Sequence, residues 1–361
     1  MTYSIQYKAA RLEFTESNLI HANLSGAAFS GKWLWVAGDE ACGVDRLQHL
    51  PSSGSEQLRF GQAVHFPLTN LLDLPGNPED EADLEGMAIE DGWLWVVGSH
   101  GLKRKNAKPD RSHADNAKRL TKLALDTNRR LLARLPLQEG VDGQPEVMRS
   151  TPDGRKASRL RGDAEDNELT RLLADDPHFA PFLKIPGKDN GFDIEGLALL
   201  GNRLMLGLRG PVLRGWACLL EIAITEKEDE LRLAALDDSG CKLRKHFLPL
   251  DGLGIRDLHF EGDMLQILAG PTMVLDGDVR VFGWQDAKPQ LLENTENIVF
   301  WPKPSLLCAL PHSPGRNRAE AFCALPAELS PTRQWLALYD APDADRLEGP
   351  LTVFGDIVSE S

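Results

Sequence analysis

Five residues in this chain recur at the same place in a repeated pattern: Ser25, Glu85, Glu195, Arg256 and Glu320. Three carboxylates, a hydroxyl and a guanidinium brought together could do one of two things. They could hold a hard cation through oxygen ligands, or cancel one another as ion pairs. Carboxylates crowded around a narrow axis repel unless their pKa values rise, a base pairs with them or a cation sits between them. Ser25, Glu85, Glu195 and Glu320 are the candidate metal ligands, and Ca2+ suits a wide oxygen ring better than Mg2+. With no metal, Arg256 would neutralise the ring directly. Glu195 and Glu85 are candidate catalytic groups, and His100 is a candidate acid or base near neutral pH. Arg209, Arg214, Arg256 and Lys188 could bind an anionic substrate, since Arg offers planar, two-pronged recognition of carboxylate or phosphate. The competing reading makes the arginines struts between neighbouring segments and His100 an ordinary loop residue.

The elements that must position these residues are short strands. Asp83-Leu-Glu-Gly-Met-Ala-Ile-Glu-Asp-Gly-Trp-Leu-Trp-Val-Val-Gly98 reads as strand, Gly turn, strand. Copies begin at Leu24, Ile194 and Ile255, and a degenerate fifth at Arg318. The aligned positions are 60, 110, 61 and 64 residues apart by number. A four-stranded module at this period implies an all-β chain folded as a single β-propeller over residues 1–361, with five blades. The long step is read as a partly helical insertion at 139–190 between blades two and three, the alternative being a sixth blade. Strands are expected at 63–68 to end blade one, at 120–126 and 130–137 in blade two, and at 290–293 to end blade four. Residues 300–317, rich in Pro, are expected to be irregular. The last copy has room for only three strands, so the alternating segment 3–14 should supply the fourth. The first strand of each module would line the channel. Its start and the loop after the second strand then share one face, which gathers Asp39, Glu40, Ser99, His100, Arg209, Arg214, Lys188 and Asp340 around the repeated position.

Composition narrows the partners. The chain has 361 residues, 54 acidic against 40 basic, for a net charge of −14. That opposes nucleic acid or an anionic membrane as the main partner. No apolar run is long enough to cross a bilayer, and the first residues lack an apolar signal core, so a cytoplasmic location is expected. Five widely spaced cysteines form no CxxC pair, which fits buried thiols in a reducing compartment.

Asp193-Ile-Glu-Gly-Leu-Ala198, Gly207-Leu-Arg-Gly-Pro-Val-Leu-Arg-Gly-Trp-Ala217, Gly254-Ile-Arg-Asp-Leu258 and Leu268-Ala-Gly-Pro-Thr272 together resemble the bacterial domain of unknown function 3616 family. That resemblance implies a relative in fold and no particular activity. A fainter resemblance is to the calcium-activated apyrases, five-bladed propellers that hydrolyse nucleoside di- and triphosphates. It implies Ca2+ on the axis, held by Ser25, Glu85, Glu195 and Glu320. Arg256 departs from that pattern, because a cation beside Ca2+ is unfavourable. The Glu-Gly-Leu-Ala element is also similar to that of phytase-like propellers. The expectation is therefore a metal-dependent phosphohydrolase acting on a small anionic substrate at the channel mouth. The alternative is a non-catalytic propeller that binds a small anion or a protein on the same face.

Overall fold

The computed structural model describes residues 3–16, 20–51, 58–140, 142–274 and 276–360. The chain is mostly β, as its short apolar runs between turn residues lead one to expect. Leu24–Ser30, Trp33–Gly38, Gly43–Leu50 and Leu58–Pro67 form an antiparallel run in chain order. Leu84–Glu90, Trp93–Gly98, Leu132–Glu139 and Pro145–Val147 form a second. Asp193–Leu200, Arg203–Gly210, Trp216–Lys227 and Arg244–Pro249 form the third, which Ile298–Phe300 extends in parallel. Gly254–Glu261, Met264–Gly270, Val279–Trp284 and Ser305–Leu310 form the fourth.

The last run closes on the beginning of the chain. Arg318–Ala324, Gln334–Asp340 and Thr352–Glu360 pair in order, and Tyr3–Glu13 adds antiparallel to Thr352–Glu360. Tyr3–Glu13 also runs parallel to Leu58–Pro67, which joins the first and last runs into one eight-stranded sheet. A buried latch holds this seam. Arg346 pairs with Asp356 through two contacts of 2.7 and 2.8 Å, and its guanidinium lies over the rings of Tyr7 and Tyr339.

The first strands of the five runs pack in a ring. Leu24–Ser30 meets Leu84–Glu90, which meets Asp193–Leu200, then Gly254–Glu261, then Arg318–Ala324, and the last returns to Leu24–Ser30. The arrangement is propeller-like. The Gly after the repeated Glu explains how the ring becomes so tight. A Cβ on Gly86 would stand 2.8 Å from the Cβ of Leu197, and one on Gly196 would stand 2.8 Å from Leu258 Cγ. The hairpin between the first two strands needs a different freedom. Asp91 and Gly92 adopt φ of 49° and 75°, the left-handed pair that a two-residue turn demands. Apolar side chains from neighbouring sheets fill the space between them, with Trp35, Met87 and Leu94 in one layer and Leu197, Leu206 and Phe247 in the next.

Several strand expectations are corrected. Residues 120–126 give no strand of the second run. Ser112 caps a helix over His113–Leu120, accepting from Asp115 N at 3.1 Å, and Leu123–Ala124 pairs only with Lys103–Arg104. Residues 290–293 fall within the helix Ala287–Glu293, whose Ala287 and Leu291 are one turn apart and wholly buried. The fourth strand of that module is Ser305–Leu310, inside the stretch expected to be irregular, because Pro302 and Pro304 precede the strand rather than interrupt it. Within 139–190, Pro145–Val147 and Ser158–Arg159 pair with Leu132–Glu139, and the helix Glu168–Ala174 follows with an Asn167–Thr170 capping box. No described helix is long and apolar enough to cross a membrane. The five cysteines are free, with Cys218 and Cys323 buried as expected.

Candidate functional site

In every one of the five inner strands the pairing with its neighbour skips one residue. The skips fall between Leu24 and Gly26, Leu84 and Gly86, Ile194 and Gly196, Ile255 and Asp257, and Ala319 and Ala321. The residue left out of register is Ser25, Glu85, Glu195, Arg256 or Glu320. A bulge of this kind bends the strand and re-aims one side chain. The repeated sequence position is thus a repeated bulge, and all five residues are buried.

Their partners divide them. Arg209 Nη1 lies 2.6 Å from Glu195 Oε1, and its other nitrogen donates to Asp193. Arg256 donates to Glu320, lies 3.4 Å from Glu195 Oε2, and donates to the carbonyl of Pro271 at 3.0 Å. The Ser25 hydroxyl donates to the carbonyl of Leu84. Glu195 and Glu320 are therefore held by guanidiniums and Ser25 by backbone, so the ligand set expected from sequence does not stand free to take a cation. Arg209 and Arg256 are both engaged by these carboxylates, Arg256 also by the Pro271 carbonyl.

A different acidic group is assembled. Oxygens of Asp39, Asp83 and Glu85 lie within 4.8 Å of one another. Asp83 is shared with Arg129, whose Nη2 is 2.5 Å away. Glu85 is 7% exposed and has no hydrogen-bond or ion-pair partner among the described residues. Burial first, then Asp83, Glu195, Glu320 and Asp39, push its carboxyl well above the usual range. Burial, with Asp340, Asp83 and Glu320, pushes Asp39 up to about 8, against the opposing pull of Lys188. Asp340 rises to about 6 through burial and the charge of Glu320. Glu195 reaches about 8 because burial outweighs the attraction of Arg209 and Arg256. These are carboxyls pressed together with too little positive charge, which a divalent cation would correct.

Asp39 and Asp83 of this group line a cavity of about 490 Å3, with Glu85 behind them. Asp39, Asp83, Asp193, Arg129, Arg209 and Lys188 line its inner wall, and Leu120, Met273 and Val274 line its mouth. Lys188 is exposed yet crowded. Burial and Arg209 work against its charge, but Asp39, Glu320 and Glu85 outweigh them and raise its pKa.

Two expected site residues lie elsewhere. His100 is buried, its Nδ1 2.8 Å from the carbonyl of Gly98 and its Nε2 3.0 Å from Asn167 Nδ2. The amide donates, so Nε2 accepts and Nδ1 carries the proton. Burial pulls the pKa of this ring down to about 4. His100 thus holds Asn167, the cap of the helix Glu168–Ala174. Arg214 sits exposed in a tight turn with φ of 51°. Sequence reasoning missed Asp83, Asp193 and Arg129 as members of the site. Asp83 and Asp193 each stand two residues before a repeated Glu, and that Asp-x-Glu spacing was the available signal. Arg129 gave none, since it arrives from the turn Thr127–Arg130, far along the chain from Asp83.

Fold and site together define a β-propeller-like protein with a buried ring of bulged polar residues and an acidic channel mouth. The chain belongs to the family described as protein of unknown function (DUF3616), whose family model matches residues 23–356. No curated protein matches it. Among solved structures it is similar to a Thermus thermophilus protein described as a putative oxidoreductase of glucose dehydrogenase type, at 12% identity and a TM-score of 0.38, covering 99% of both chains. It is similar to a Bacteroides uniformis protein described as a putative 6-phosphogluconolactonase, at 10% identity and a TM-score of 0.30, covering 87% of this chain. The chain spans 63% of that structure's length. Drosophila Semaphorin 1a, extracellular domains 1-2, is similar at 8% identity and a TM-score of 0.33, covering 88% of this chain and 73% of that one. Likenesses at this level say nothing about chemistry.

Proposed function

We propose that residues 1–361 form a single five-bladed propeller that binds a divalent cation, Ca2+ first, at Asp39, Asp83 and Glu85. On this reading it hydrolyses an ester bond of a small anionic substrate in the adjoining cavity. The observation that carries the reading is Glu85, a carboxyl more than nine-tenths buried, without a basic partner among the described residues, and grouped with two other carboxyls. The ring of inner strands and the closure by Tyr3–Glu13 support the five-bladed fold. Three oxygen donors suit a hard cation, and such a cation would supply a Lewis acid and lower the pKa of water there. Lys188 and the apolar mouth would hold the substrate.

The test is metal analysis of purified protein, followed by titration of metal-stripped protein with Ca2+, Mg2+ and Mn2+. Binding lost in Glu85→Gln, together with metal-dependent turnover of an ester panel, is the expected result. No binding of any of the three ions would overturn the metal site. One observation favours a second reading. His100, Arg209 and Arg256 are all engaged by other groups, which leaves few residues to move protons. A propeller that binds a ligand without converting it fits that feature, and metal binding without turnover would select it.

A further inference from the structure

The charge on the cavity wall limits what can enter it. Arg209 is held by Asp193 and Glu195, Arg129 by Glu81 and Asp83, and Arg104 by Asp189 at 2.7 Å. Lys103 lies 2.6 Å from Glu81. Among the described residues, Lys188 is the cation on this wall with no carboxylate in ion-pair contact. Lys103 offsets Glu81, which leaves Arg129 for Asp83. A divalent cation then balances Asp39 and Glu85, and among the described residues of this wall Lys188 is the one cation left for a ligand, too little charge to neutralise a polyphosphate.

The other half of the lining is apolar. Leu120, Met273 and Val274 are 46%, 42% and 58% exposed, and all three line this mouth. Single exposed apolar residues are ordinary, but three converging on one cavity offer a surface for an apolar group. The segments that carry them are tied together. Asp189 bridges to Met273 through backbone, and its side chain pairs with Arg104, which donates to the carbonyl of Leu120.

We infer that the ligand of this cavity is a monoanion with an apolar body. Lys188 takes its charged end, and Leu120, Met273 and Val274 take the rest. This rests on the proposed metal site and narrows its substrate class away from nucleoside polyphosphates toward singly charged esters.

The experiment compares three probes by calorimetry on Ca2+-loaded protein at pH 7.5. Phenyl sulfate is a monoanion with an apolar body, and methyl sulfate keeps the charge without the body. Phenyl phosphate keeps the body but is a dianion at this pH, its second pKa being about 6. Phenyl sulfate should bind about tenfold more tightly than either of the others. Lys188→Met should weaken phenyl sulfate about tenfold without loss of Ca2+ binding. Tighter binding of phenyl phosphate, equal affinity in Lys188→Met, or no binding of any probe at millimolar concentration overturns the inference. The Ca2+ titration itself reads the metal site separately, so failure of one is distinguishable from failure of the other. If Ca2+ does not bind, the same ranking is measured on the metal-free protein.

Discussion

Glu85 and Glu195 occupy the same bulge in neighbouring sheets, yet only Glu195 meets a guanidinium. Both are buried, and both carboxyls are pushed upward by that burial. Arg209 and Arg256 give Glu195 a structural role. Their absence around Glu85 leaves a carboxyl that must be protonated or must find a cation.

Glu85→Gln should therefore remove Ca2+ binding while raising the stability of the metal-free protein. The amide cannot repel Asp83 and Asp39. Urea midpoints with and without Ca2+ check this: the variant should gain in the stripped state and show no Ca2+-dependent shift. A variant less stable than the parent in both states would contradict the repulsion.

The charge of Asp39 predicts a pH dependence. Its folded pKa of about 8 lies above the unfolded value of about 3.9. Between those values the folded state keeps a proton that the unfolded chain has lost. The associated stability is full below about pH 4 and disappears as pH rises through 8. Metal-free Asp39→Asn should thus gain on the parent progressively from pH 5 to 8. Saturating Ca2+ should abolish the parent's loss, and a pH-independent difference would refute the assignment.

Arg209→Met should be costly whatever the ligand. It leaves Asp193 buried without its guanidinium and Glu195 with Arg256 alone, a loss of about 3–5 kcal/mol. Chemical denaturation measures it. Arg209→Lys should recover only part, since one ammonium cannot reach both carboxylates as the planar fork does. Full stability in Arg209→Met would show the strut to be dispensable.

His100 predicts an effect on the acid side. Its folded pKa of about 4 lies below the unfolded value near 6.5. The neutral ring contributes stability above pH 6.5 that is lost as pH falls toward 4, because only the unfolded chain takes up the proton. His100→Gln should lower stability at pH 7.5 by about 1–2 kcal/mol and flatten that acid limb. Any turnover should keep its pH profile, whereas a profile that changes in the variant would return His100 to the chemistry.

The seam offers a test of the ring. Arg346→Leu removes the partner of buried Asp356 and the stacking on Tyr7 and Tyr339. A loss of about 3–5 kcal/mol is expected. Deleting residues 1–13 should abolish cooperative unfolding, because Thr352–Glu360 and Leu58–Pro67 would both lose their neighbour. Sharp unfolding in the truncated chain would show that the ring holds without its closing strand.

Much of the architecture was legible in the chain itself. Short apolar runs joined by Gly turns and repeated along the chain specify the first two strands of each module, because a tight turn between two apolar runs is a local requirement. The closing role of Tyr3–Glu13 followed from a last module with too few strands. The outer strands were less legible. Gln290–Glu293 carries apolar residues that suit either periodicity over so short a run, and a buried i, i+4 pair decided for helix, while of Leu120–Asp126 only Leu120 is helical and Leu123–Ala124 makes a two-residue strand.

The sequence alone determined which polar residues recur and that they gather at one end of the inner strands. That follows from repetition, which puts equivalent residues in equivalent places. Only the tertiary structure decided which of them are neutralised. Arg209 comes from a second strand, Arg129 from a turn between sheet strands and Asp39 from another sheet's loop. Charge pairing depends on distances of a few ångströms between segments far apart in the chain, and no local pattern encodes those. The same three glutamates could have formed a metal ring or a set of struts. Two guanidiniums reaching Glu195 and Glu320 made those two struts, and left Glu85 with Asp39 and Asp83.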